Sequence, residues 1–387
     1  MIQASGRRTD LNIIRVLAFA LIIVYHFILE MSSKSIIGAG IPYAGPNMHM
    51  ATLGVGLFFM ISGAGLMLST KPAGPAGKAA GEAKAQSAGI KAAGKPAGQP
   101  DWKAYYLKRF VRIMIPFYLA YLGCLLIMLL MRHPLPFDGS TPPWTAILTV
   151  LGVDEYFSLW GVADFTLGIG EWFLGCLIII YLVYPLLWNL MKKHRYIFMG
   201  CATVYYILLL VFYPFGVPAI NNVLAKVYEF ILGMFVMEEW RSRGLDGSRR
   251  LWMVSLVSLA VILIFLLCPF SIPLPEDLKV TILVLAVLLF FMSLERLWKK
   301  SGRLEKILSV ICRYSFEIYL VHHMIIYQFA LWLEGRALSP LMVMLVFLAE
   351  LAVMVLAGLV LKLLSALVLR LFRHVLGRGA HKEGRSA

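Results

Sequence analysis

Charged residues are scarce in this 387-residue chain. They make up 15% of it, against about a quarter in soluble globular domains, while apolar residues reach 60%. That balance excludes an ordinary soluble domain and leads to an all-α, polytopic membrane helix bundle. Acids are scarcer than bases, 21 against 36, for a formal net charge of +15. Such an excess suits nucleic acid in a soluble protein, but in a membrane protein it commonly reflects basic cytoplasmic loops. Cysteine is sparse too: Cys124, Cys176, Cys201, Cys268 and Cys312 stand singly, with no CxxC pair and no histidine at zinc spacing. This argues against a disulfide framework or a metal site. A P-loop, GxSxG, HExxH and a dinucleotide fingerprint are all missing.

What the chain does have is long apolar runs. With about 20 residues needed to cross a bilayer, the candidate spans are 11–30, 50–70, 112–131, 171–190, 196–213, 219–238, 252–268, 278–294, 312–333 and 341–369. Arg7 and Arg8 precede the first run as in a secretion signal. The run is too long for a signal core and no small-residue cleavage site follows, so a retained first helix is expected. Most of the 36 Lys and Arg residues then fall on one side, between Lys71 and Arg112, at 192–195, at 241–250, between Arg296 and Arg313, and beyond Arg370. The positive-inside rule therefore places both termini in the cytoplasm, and nucleic acid drops out as a partner.

One membrane domain is expected over residues 1–387, with three irregular stretches. Residues 71–100, rich in Gly, Ala, Pro and Lys, cannot bury enough apolar surface to order themselves and read as a disordered cytoplasmic loop. Residues 132–170 form an outer loop with turn formers, acids and aromatics. It would either cap the outer mouth and stack on sugar rings or lie at the interface as a re-entrant segment. Residues 370–387 read as a basic cytoplasmic tail.

The stretch NIIRVLAFALIIVYHF carries Arg15 and His26. Their spacing is close to three helical turns, so both project from one face, roughly 16 Å apart along the axis. Ionisable groups within hydrocarbon are costly and mark functional sites facing the bundle interior. An imidazole with a reference pKa near 6.5 is suited to take a proton from an alcohol. At the inner edge of the third run, Arg109 and Arg112 share a face. With Arg15 and Arg313 they would form a cationic mouth for phosphates, held bidentately by guanidinium groups. Glu171 would orient His26, bind an acceptor hydroxyl, or simply favour a helix N-terminus. Ser315, Tyr319 and His322 follow one helical face and, with Trp172, are candidates for substrate binding. Gly54, Gly56, Gly63 and Gly65 would let helices approach closely. Lys226 and Glu229 are spaced to pair, and Glu350 lies unexplained in the last run.

In order along the chain, these motifs resemble the integral-membrane acyltransferases of the acyltransferase-3 type, which modify envelope glycans and related acceptors. Arg15-x10-His26 resembles the family's Arg-x10-His signature. GVGLFFMISG resembles GVxxFFxxSG, KRFVRIMIPFY resembles RxxRIxPxY, EWFLGCLIIIYLVYPLL resembles WFLxxLxxxYLxxPLL, and YSFEIYLVHH resembles YSxxIYLxH. The resemblance implies a cytoplasmic acyl-CoA co-substrate, His26 as catalytic base, and Arg15, Arg109 and Arg112 near the CoA phosphates. Where many members have Asp three residues before the signature arginine this chain has Asn12, with Asp10 the nearest acid. Where many have His before the Trp of the fourth helix it has Glu171.

The expected function is transfer of an acyl group, acetyl in the first instance, from acyl-CoA to a hydroxyl of an envelope glycan or lipid-linked sugar, in a bacterial plasma membrane. The alternative is a transporter of a glycan, lipid-linked sugar or small anion whose pathway the buried charges would line. No inverted repeat relates the two halves, which weakens that alternative.

Overall fold

The structure, a computed structural model, describes residues 8–38, 47, 49–70, 100–130, 141–162, 164–245, 251–299 and 301–383. Among these, every regular element is a helix: α1 Thr9–Ser33, α2 Met50–Ser69, α3 Trp102–Leu130, α4 Ala146–Leu151, α5 Asp154–Ser158, α6 Glu171–Val211, α7 Val223–Ser242, α8 Trp252–Leu267, α9 Glu276–Ser293, α10 Glu295–Lys299, α11 Gly302–Leu333 and α12 Pro340–Glu383. By length and composition, α1, α2, α3, α6 and the Pro340–Phe372 part of α12 can cross a membrane; α8 is a shorter apolar helix. Large apolar side chains such as Leu122, Leu126, Leu130, Leu348, Leu356 and Leu363 point outward on α3 and α12. Outward-facing hydrophobics around polar groups buried inside suit a lipid solvent. The chain is a multi-pass membrane protein.

One division matches the sequence reading: the runs 171–190 and 196–213 are two helices that meet at a kink at His194 (φ −140°, ψ 47°), written together here as α6. Several boundaries differ from it. α3 begins at Trp102 and α11 at Gly302, about ten residues before the runs at 112 and 312. Hydropathy finds only the apolar part of a helix, whereas Lys and Arg are good helix formers and continue it into the polar layer. For the same reason α12 runs on through residue 383, so most of the basic tail is helical. The 71–100 loop lies outside the described residues except for its last position.

Small residues set the central crossings. α2 lies between α1 and α7: an added Cβ on Gly54 would come within 2.9 Å of the Ala18 carbonyl. Gly63 faces the Phe230 carbonyl and Gly233 faces the Met60 carbonyl. The helix backbones touch there, as small-residue interfaces in membranes allow.

From residue 141 the segment before α6 is folded onto its neighbouring helices. Tyr118 donates to the Val150 carbonyl (2.5 Å) and Tyr121 to the Phe165 carbonyl (2.6 Å), tying it to α3. Gly175 admits the Tyr156 side chain against α6. This docking buries acids: Asp154 is buried, and burial pushes the Asp164 carboxyl up to about 6. A carboxyl raised on docking favours the docked loop while protonated, and that contribution is lost as pH rises through the raised value. We predict that a broad-specificity protease cleaves 164–170 faster at pH 8 than at pH 5.5, each rate normalised to an unfolded peptide of the same sequence. Asp164→Asn should narrow the difference, since its carbonyl keeps the hydrogen bond from Thr166 N. Equal normalised rates in the wild-type protein would contradict the docking argument.

Candidate active site

Three helices bring one carboxylate between two imidazoles. His26 comes from the C-terminal third of α1, Glu171 is the first residue of α6, and His322 lies on α11. The turn before α6 places Gly168 at φ 69° and Gly170 at φ 78°, and Glu171 itself is held at φ 47°. A non-glycine residue in that region is strained, and such strain collects where a side chain must be aimed. Tyr319 secures the turn by donating its buried hydroxyl to the Gly170 carbonyl at 2.5 Å.

Glu171 Oε1 lies 3.3 Å from His26 Nε2 and 3.3 Å from His322 Nε2. The His322 Nδ1 is 2.6 Å from the Tyr319 carbonyl. A carbonyl only accepts, so Nδ1 carries a proton and donates. If Nε2 bore a lone pair it would face a carboxylate oxygen, a repulsive arrangement unless a proton or another cation joins them. For His26, an Nε2–H directed at Glu171 leaves Nδ1 as the basic atom, and that atom is buried with no hydrogen-bond partner. The same three side chains have a donor set for a divalent cation, their ligand atoms lying within 4.8 Å of one another.

Two further groups adjoin this centre and were missed in the sequence. The His323 ring lies 5.2 Å from the His26 ring, and His323 Nε2 is 3.6 Å from Glu30 Oε1. Glu30 follows His26 by four positions, the spacing of helix-surface neighbours. That spacing and the HH doublet were the signals available. Tyr25 stands between His26 and His49, at 5.0 and 5.1 Å between ring centroids.

The other sequence candidates divide. Arg15 donates to Asn12 Oδ1 at 3.3 Å, so an amide occupies the place of the family's acid, while Asp10 pairs with Arg8 at 2.7 Å. Arg109 sits over the Tyr181 ring at 5.0 Å and the Tyr105 ring at 5.9 Å. Arg112 lies within electrostatic reach of Arg109, Arg15 and Glu317, and Glu317 itself accepts from Lys362 at 2.6 Å. These arginines share one neighbourhood. Arg313 is exposed, and no contact among the described residues joins it to them. Tyr319 donates its hydroxyl proton to the Gly170 carbonyl, and Ser315 donates to the Cys312 carbonyl at 3.3 Å, so each hydroxyl keeps only its acceptor capacity in this state. Trp172 is half-buried against the core. Lys226 and Glu229 pair at 2.8 Å, each 1% exposed, and Glu350 is buried with both carboxyl oxygens unpartnered.

The family model described as an acyltransferase domain matches residues 8–363, nearly the whole chain. No curated protein and no solved structure matches the chain.

Proposed function

The chain belongs to the acyltransferase-3 family, and on that premise we propose that it moves an acyl group, acetyl in the first instance, from cytoplasmic acyl-CoA to a hydroxyl of an envelope glycan or lipid-linked sugar. The observation that carries the reading is the His26–Glu171 contact with an unpartnered Nδ1 beside it. In this reading both termini are cytoplasmic, about ten helices cross the bilayer, and His26 faces the outer half of a bacterial plasma membrane.

Glu171 holds the Nε2–H of His26, and Nδ1 takes the proton of the acceptor hydroxyl. The resulting alkoxide attacks the thioester carbon, the new C–O bond forms and the C–S bond breaks. His26 returns its proton to the departing thiolate, so the histidine ends neutral, as general acid–base catalysis requires. Arg15, Arg109 and Arg112 bind the CoA phosphates at the inner end, with the pantetheine arm running along α1 toward His26. His322 faces the same carboxylate oxygen from the other side and keeps Glu171 between the two rings.

Purified protein in detergent should transfer label from acetyl-CoA to an envelope glycan fraction, at a rate that EDTA does not lower. A transporter of a glycan, lipid-linked sugar or small anion would show no transfer in detergent, because transport needs a sealed membrane. Loss of transfer on chelation, restored by zinc, would move His26 from base to metal ligand.

A further inference from the structure

Resting on the acyl-transfer reading, we infer that Glu30 and His323 form the acceptor subsite: a carboxylate and an imidazole that bind neighbouring hydroxyls of a sugar while His26 deprotonates one of them.

The placement comes from helix geometry. Consecutive residues of a helix project about 100° apart, so His322 and His323 cannot share a direction. His322 turns inward to Glu171 and is 1% exposed, whereas His323 is 32% exposed. Glu30, one turn beyond His26 on α1, meets it from the other side. On the side of His26 away from the arginines, His323 is therefore partly open, with Glu30 15% exposed beside it.

The spacing suits recognition. The two groups face each other at 3.6 Å, within ion-pair reach but beyond good hydrogen-bond distance, so a hydroxyl that enters can take over the contact from both sides. A hydroxyl both donates and accepts: it can give its proton to Glu30 and receive one from His323. Two adjacent hydroxyls of a pyranose or furanose ring can engage both groups at once, which orients the ring as well as binding it. The wall opposite is the Gly168 turn, where a side chain on residue 168 would come within 3.2 Å of His323 Nδ1. The absence of a side chain there leaves the His323 ring accessible. A polyhydroxylated ring suits the paired carboxylate and imidazole, because its adjacent hydroxyls each donate and accept.

The test separates binding of acceptor from binding of donor. Glu30→Gln and His323→Gln are assayed as purified full-length protein, with labelled acetyl-CoA and the glycan fraction of the host envelope as probes. Each should raise the acceptor KM by about 10- to 100-fold, the range for a hydrogen bond to a charged group. The acetyl-CoA KM, set at the far end of α1, should not follow. His323 is partly exposed, so its variant remains informative if Glu30→Gln fails to fold, with size-exclusion behaviour deciding that point. An unchanged acceptor KM in His323→Gln, or acceptor and donor KM values rising together, would overturn the subsite. Wild-type protein that neither transfers nor hydrolyses acetyl-CoA would instead overturn the acyl-transfer reading, and the subsite with it.

Discussion

His26→Ala is expected to lower acyl transfer by about 10²- to 10⁴-fold, the usual contribution of a positioned general base, while the protein remains folded. The alanine removes one edge of a cluster whose other members hold each other. Glu171 keeps His322 at 3.3 Å, and the Gly170 turn stays tied to Tyr319. The loss should fall on kcat. Arg15 lies near the opposite end of the same helix, so the acyl-CoA KM should hold, the signature of an interaction made only in the transition state. Glu171→Gln should act through the same histidine. The amide can present its NH2 to His26 Nε2, which then accepts, so the ring proton moves to Nδ1 and that atom can no longer take the acceptor's proton. The double variant should then be little worse than His26→Ala alone, because groups that act as a unit are not additive. Substantial transfer by His26→Ala, within about tenfold of the wild type, would remove the base from the mechanism. Measured losses that multiply would separate Glu171 from His26.

The part of this centre carried by one helix could be read from the chain, because a helix has a known period. Arg15 and His26 fall on one face of α1 by counting alone. Glu171 could be named as a partner for His26 only as one of several readings. Its contact depends on how α6 starts, and that start is a turn with three successive odd features, Gly168, Gly170 and a positive φ at Glu171 itself. Neither hydropathy nor spacing reports where such a turn aims a carboxylate. Glu30 and His323 were harder still: each lies in an apolar stretch, and they meet only because α1 and α11 pack together. The break inside α6 was legible as well: Lys192, Lys193 and Arg195 interrupt the apolar run, and two helices meet at a kink at His194 between them. The pairing of Arg15 with Asn12 shows that an amide can orient the guanidinium without neutralising it, which leaves more positive charge for a phosphate than a carboxylate partner would.

Gly63→Ala and Gly233→Ala should be the most damaging added methyls among the described glycines, and Gly65→Ala, two residues from Gly63 on the same helix, should be harmless. An ideal Cβ on Gly63 would lie 2.0 Å from the Phe230 carbonyl oxygen, and one on Gly233 would lie 2.0 Å from that of Met60. Both obstacles are backbone, so neither can rotate aside, and α2 and α7 must move apart. Overpacking commonly costs about 1–3 kcal/mol when side chains can adjust; a backbone collision belongs at or above the top of that range. Nothing lies within 4 Å of a Cβ on Gly65. Alanine there gains about 0.5–1 kcal/mol from the lower entropy of the unfolded helix position. The opposite signs make the comparison sharp: thermal unfolding in one detergent should place Gly63→Ala and Gly233→Ala well below the wild type and Gly65→Ala level with it or above. Because both collisions are relieved by the same separation of α2 from α7, the double variant should fall short of the sum of the two losses. The consequence reaches the candidate site through α1, whose Ala18 carbonyl rests on Gly54 of the same α2, so any surviving Gly63→Ala protein should also show reduced kcat as His26 loses its seat. Equal stability of Gly63→Ala and Gly65→Ala would mean that the two helices do not cross at these glycines.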